Sequence, residues 1–138
     1  MKTKRVLLSA IVLSIFSFLY AGLTCGHFFK WVYEIEPIIW IPEAEMMANM
    51  PAMFGITFLM ALFFSLVYAI LYKGIPGTGV RKGINYAFFM WLVGPFLGMA
   101  GMPLYMTISW TVVIYWVVSF LVSMLIQGAL LGAIYKEK

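Results

Sequence analysis

Long apolar runs alternate with short polar breaks along this chain. The first run is Val6 to Phe29, after Lys2, Lys4 and Arg5. The second is Pro51 to Tyr72, closed by Lys73. The third, from about Ile84 to Ala100, follows Arg81 and Lys82, and the fourth, from about Leu104 to Tyr135, precedes Lys136 and Lys138. A transmembrane helix needs roughly 20 predominantly apolar residues. Helix is also the only open-ended structure that satisfies its own backbone in lipid. The pattern therefore predicts an all-α membrane protein, a four-transmembrane-helix bundle forming a single membrane domain over 1–138, with helices at about 6–29, 51–72, 84–100 and 104–135. The third helix is short and contains Pro95. The fourth exceeds what a bilayer requires and is expected to tilt or protrude.

Composition narrows the class. Of 138 residues, 64% are hydrophobic and only 10% charged, against roughly a quarter charged in ordinary soluble domains. That is too little charge to cover a water-soluble surface. A soluble globular domain, a disordered tail and a disulfide scaffold are thereby excluded. Cys25 is the only cysteine, so no intrachain disulfide forms.

The few charges separate by side. Lys2, Lys4, Arg5, Lys73, Arg81, Lys82, Lys136 and Lys138 fall on one side of the alternating path, and Glu34, Glu36, Glu43 and Glu45 on the other. Only Lys30 and Glu137 break the division. The positive-inside rule predicts an N-in/C-in multi-pass protein of the cytoplasmic (inner) membrane. The bases do not cluster on an amphipathic face, so no nucleic acid partner is expected. The first run is longer than a signal-peptide core and no A-x-A site follows it, so it is expected to stay uncleaved. Trp31, Tyr33, Trp40, Tyr105 and Trp110 mark the outer interface, and Tyr68, Tyr72, Tyr86 and Tyr135 the inner one. The apolar Pro37–Pro42 segment is expected to lie on the membrane surface or cap the bundle.

Lipid offers no hydrophobic drive between helices, so close approach needs small residues. Gly22 and Gly26 supply them on the first helix, Ala61, Ser65 and Ala69 on the second, Gly94 and Gly98 on the third, Gly128 and Gly132 on the fourth. The second and fourth helices end alike, in Leu71-Tyr72-Lys73 and Ile134-Tyr135-Lys136. Interfacial aromatics and the positive-inside rule explain that ending without an internal repeat.

Candidate chemistry is sparse. The loop Gly74 to Gly83 looks superficially like a phosphate-binding Gly-rich loop, but Val80 rather than Lys follows Gly79 and a membrane helix precedes it. Nucleotide binding is not expected there. Arg81 and Lys82 are instead assigned to lipid headgroups or to docking of a partner. Met47, Met50 and Met53 near the start of the second helix and Met99, Met102 and Met106 where the third gives way to the fourth map to the outer face, at the depth of Cys25 and His27. Thioether sulfur suits a soft metal ion, although methionine also fills irregular apolar gaps. Asn85 and Gln127 are the deepest strongly polar groups and are expected to pair between helices. The predicted spans contain no Asp, Glu, Lys or Arg, which counts against a proton-driven exporter. No nucleophile, base and orienter come together, so no enzyme is expected, and no cofactor is assigned.

The leading expectation is a small structural or accessory membrane subunit, a homo-oligomer or part of a larger membrane complex. Its partners would be the lipid bilayer and other membrane protein chains. The alternative is a small transporter or channel with a Met-rich outer mouth for a soft metal ion or apolar cation.

Overall fold

A computed structural model describes residues 2–136. The fold is about 80% helical, without strands among the described residues. It comprises α1 (Thr3–Leu23), α2 (Glu43–Ala48), α3 (Met50–Leu71), α4 (Gly79–Trp91), α5 (Leu97–Met99) and α6 (Trp110–Ile134). Four helical segments are long and apolar enough to cross a membrane: Thr3–Phe28, Met50–Leu71, Gly79–Leu104 and Trp110–Ile134.

Local chemistry sets the boundaries. Pro51 sits in the first turn of α3, where a missing N–H costs nothing. Gly77 and Gly79 take φ of 99° and 51° in the α3–α4 turn, a region that only glycine enters freely. Ser109 caps α6 by accepting from the Thr111 amide at 3.2 Å. Pro95 cannot donate to a helical ladder, and its ring would press on the carbonyl one turn back. The backbone there widens into a π-turn, Leu92–Phe96, before α5 resumes. A second π-turn, Thr24–Phe28, extends α1, with the Thr24 hydroxyl returning to the Tyr20 carbonyl at 2.7 Å.

Two spans depart from their predicted bounds. The third begins at Gly79 rather than Ile84, because charged residues such as Arg81 and Lys82 do not stop a helix. The fourth begins at Trp110 rather than Leu104. Met102–Leu104 form only a 3₁₀ turn around Pro103, and the chain stays irregular until the Ser109 cap.

The helices associate as two pairs, α1 with α3 and α4 with α6, joined where α1 meets α6. Consecutive α3 and α4 meet through large side chains: the Tyr86 hydroxyl donates to the Phe64 carbonyl at 2.8 Å, and their rings lie 4.8 Å apart. The core sits towards the end where the termini lie and consists of Val6, Leu13, Ala61, Tyr68, Tyr86, Leu131 and Tyr135.

Candidate functional site

The α4–α6 seam is built from glycine. Gly79 and Gly83 of α4 face Gly128 and Gly132 of α6. A Cβ on Gly83 would overlap the Gly128 carbonyl, one on Gly128 the Gly83 carbonyl, and one on Gly132 the Gly79 carbonyl. Backbone therefore lies on backbone, the arrangement that spaced small residues permit in a membrane. The spacing of Gly128 and Gly132 left open whether their partner lies in this chain or another; within the chain they meet the Gly79-Gly83-Ala87 stripe. Among the described residues, nothing beyond its own helix lies within 4 Å of a Cβ added to Gly22, Gly26, Gly94 or Gly98. Ser65 is fully buried and Ala69 packs against the core.

At the end where the termini lie, Tyr68, Tyr72, Tyr86 and Tyr135 form one cluster. Tyr68 stacks edge-on with Tyr86 at 5.1 Å and with Tyr135 at 5.8 Å, and Tyr72 lies 5.3 Å from Tyr135. The alike endings of α3 and α6 therefore meet each other. Lys82 folds into this cluster with only 9% of its surface exposed. Its ammonium donates to the Tyr72 carbonyl at 2.7 Å and sits 4.1 Å from the Tyr72 ring centre. A cation there satisfies an orphan carbonyl at the C-terminus of α3 and complements the negative end of that helix. Arg81 stays exposed, so of the two bases assigned to headgroups or a partner only Arg81 faces outward.

Asn85 and Gln127 do not pair. Asn85 donates to the Pro76 carbonyl at 3.0 Å and staples the glycine-rich turn, whereas Gln127 donates to Ser123 within its own helix at 3.1 Å. Each amide finds a nearer partner than the other helix supplies.

At the end opposite the termini the Tyr33 hydroxyl donates to the Cys25 sulfur at 2.9 Å, with the Tyr115 hydroxyl 3.8 Å from the same sulfur. Burial, and next the bond to the thiol, push the Tyr33 hydroxyl above its ordinary pKa range, so it holds its proton as a donor. Trp40 packs against Tyr33 at 4.5 Å and Trp116 at 5.6 Å, so the Pro37–Pro42 segment caps the bundle while Ile38, Ile39 and Ile41 stay exposed. His27 is exposed and stacks on Phe28 at 5.2 Å. Met47, Met53 and Met106 are exposed, and Met50, Met99 and Met102 half-buried. The α2 helix leans on α3, and the turn carrying Met102 leans on α6, so the two methionine groups are supported separately. No group of three or more His, Cys, Asp or Glu side chains suited to a metal ion occurs among the described residues.

The features missed by sequence reading are the inward turn of Lys82, the tyrosine cluster and the Gly79–Gly83 half of the seam. The stripe Gly79, Gly83, Ala87 was visible at four-residue spacing, but it crosses from an expected loop into an expected helix. Comparison of the chain with protein-family models, curated proteins and solved structures finds no match.

Proposed function

We propose that this chain is a structural or accessory subunit of the cytoplasmic (inner) membrane, acting as a single unit without enzymatic activity and packing another membrane chain against its outer half. The carrying observation is a contrast among its spaced glycines. Those on the inner half of α4 and α6 are consumed within the chain, while Gly22, Gly26, Gly94 and Gly98 lie open towards the outer ends. Spaced small residues on a lipid-exposed helix favour close approach of a second helix. The distribution of bases supports cytoplasmic termini.

Cysteine crosslinking in intact membranes tests the assembly. In a Cys25→Ser background, Gly22→Cys and Gly98→Cys are expected to crosslink to a neighbouring chain, and Ile70→Cys, exposed near the inner end, is not. A strictly monomeric species with no co-purifying chain in mild detergent overturns the reading. For topology, alkaline phosphatase inserted after Glu45 should be active and the same reporter at the C-terminus inactive. The transport alternative has less support: Cys25 is engaged by Tyr33, and the methionine groups rest on different helices.

A further inference from the structure

The connection between α1 and α3 does not stand clear of the bundle. After the π-turn Thr24–Phe28 the chain makes a 3₁₀ turn, Lys30–Glu34, which packs against α6 with Val32 fully buried. Phe29 and Tyr33 both lie against Tyr115, with ring centres 5.1 and 6.2 Å away, and Trp40 meets Trp116 at 5.6 Å. Tyr115 and Trp116 follow Trp110, the first residue of α6, by five and six positions, which is about 7–9 Å down the axis at about 1.5 Å per residue. The Tyr33 hydroxyl likewise reaches Cys25, three positions before the end of the first span at Phe28. Having left α1, the chain folds back along the spans.

Two observations bracket the depth of Pro37–Pro42. The first is the length of α6. Its 25 residues make about 37 Å of helix, against a hydrocarbon core of about 30 Å. Even with the whole excess of about 7 Å at this end, the level of Trp116 is that of the hydrocarbon boundary, and Trp40 packs on it there. The second is the backbone. No backbone–backbone hydrogen bond reaches Pro37–Ile41 among the described residues, and the Ile38 amide donates to the Glu36 carboxylate at 3.3 Å. Unpaired backbone groups are excluded from hydrocarbon, so the backbone stays among the headgroups, where water and lipid oxygens are at hand. Exposed Glu34 and Glu36 on one side, and Glu43 and Glu45 on the other, hold both flanks in the same polar layer. Between these limits Ile38, Ile39 and Ile41 are exposed, while Trp40 alone turns in to the bundle.

We infer that Pro37–Pro42 is a strap whose partner is the lipid surface at the end opposite the termini. Its backbone lies among the headgroups, and Ile38, Ile39 and Ile41 enter the first methylenes of the acyl chains. Trp40 fastens the strap to α6 and the isoleucines fasten it to the leaflet, the division of labour of an interfacial anchor. The inference rests on the reading of the four helices as membrane spans.

The test uses the full chain in phosphatidylcholine nanodiscs, which open both faces to solvent. A single nitrobenzoxadiazole label is placed in a Cys25→Ser background, where the serine still accepts from Tyr33. The labelled positions are Ile39→Cys in the strap, Glu45→Cys beyond it and Met60→Cys midway along α3, all exposed. The quenchers are aqueous iodide and doxyl groups set high or low on the acyl chain. Iodide is expected to quench the Ile39→Cys label about threefold less than the Glu45→Cys label, as for a side chain held about 5–10 Å into the boundary of headgroups and acyl chains. The high doxyl should quench the Ile39→Cys label more than the low one does, and the Met60→Cys label should show the reverse order. Iodide quenching as strong at Ile39→Cys as at Glu45→Cys puts the strap in water and overturns the seat. A label at Ile39→Cys that escapes iodide and both doxyl lipids is covered by protein, which also overturns it. Stronger quenching there by the low doxyl overturns the assigned depth. If the Met60→Cys label escapes both doxyl lipids, the spans themselves fail, and the strap with them.

Discussion

The two helix pairs solve the same problem with different residues. Along α4–α6, glycine removes every side chain from the closest approach, and the carbonyls of one helix rest where Cβ atoms of the other would be. In the α1–α3 pair the buried residues are Val6, Ser9, Ala10, Leu13 and Ser14 on one helix and Ala61, Ser65 and Tyr68 on the other. There the hydroxyls of Ser9, Ser65 and Tyr68 are buried without a hydrogen-bond partner among the described residues. Ser14 differs from these by returning to the Ile11 carbonyl at 2.9 Å. The glycine seam thus gains backbone contact at no polar cost, while the serine seam carries buried hydroxyls that contribute nothing through hydrogen bonding. In lipid, where apolar burial between helices gains little, that difference decides which seam is firm.

The sharpest way to break this contrast is to add one methyl group to the glycine seam. Gly83→Ala drives a Cβ into the Gly128 carbonyl, and a backbone atom cannot swing aside as a side chain does. Overpacking costs about 1–3 kcal/mol, occasionally more, and this contact belongs at the top of that range. Unfolding in detergent titrated with dodecyl sulfate should show a loss of about 3 kcal/mol, with Gly128→Ala similar. A cost no greater than that of Gly22→Ala would mean that the helices slide apart freely and that the seam is not tight.

Next in size is the lysine that holds α3 to α4. Lys82→Met keeps the stem but removes the donor to the Tyr72 carbonyl and the charge above its ring. Hydrogen bonds from charged groups are worth about 1.5–3 kcal/mol, so a loss of about 2 kcal/mol is expected by the same titration, with Lys82→Arg recovering part of it. If Lys82→Met leaves stability unchanged while Arg81→Met lowers it, the roles of the neighbouring bases are reversed.

The serine seam should respond with the opposite sign. Ser65→Ala removes a buried hydroxyl that has no partner, and an unpaired buried polar group costs about 1–3 kcal/mol. Part of that gain is lost with the contacts of the oxygen itself, leaving an expected stabilisation of about 1 kcal/mol. A destabilised Ser65→Ala would mean that the hydroxyl is satisfied in the membrane and that the two seams are more alike than their residues suggest.

What the sequence disclosed of all this follows from what hydropathy measures. The apolar runs reported depth, so the four spans were legible, with α1 and α3 close to their expected bounds. They did not report facing. The α1, α3 and α6 helices are apolar nearly all round, so periodicity does not mark the face that meets a neighbour. Hence Tyr68, Tyr72, Tyr86 and Tyr135 were assigned to one common level, but their contact with one another and with Lys82 was not foreseen. Asn85 and Gln127 show the same gap: both lie in the expected half of the bundle, yet each is bonded on its own side of the seam. Glycine spacing identified helix faces capable of close approach without saying which of them are used. Gly128 and Gly132 were read as packing residues, as were Gly94 and Gly98, and among the described residues nothing lies within 4 Å of a Cβ added to the latter two.

Those open glycines give the smallest effect on the fold and the most direct test of the proposed assembly. Gly22→Leu and Gly98→Leu place bulk where nothing within 4 Å opposes an added Cβ, so stability in detergent should stay within about 0.5 kcal/mol of wild type. Their effect belongs between chains. A leucine on a face meant for close approach of a second helix holds the two backbones apart, so crosslinking from the neighbouring outer-half cysteines should fall with no change in the unfolding curve. Gly83→Ala should do the reverse, weakening the fold while leaving the outer faces chemically intact. If Gly22→Leu and Gly98→Leu leave crosslinking as strong as in the parent, lipid covers the outer glycines. The inner seam would then be the only glycine contact among the described residues that this chain uses, and the accessory-subunit reading would lose the observation that carries it.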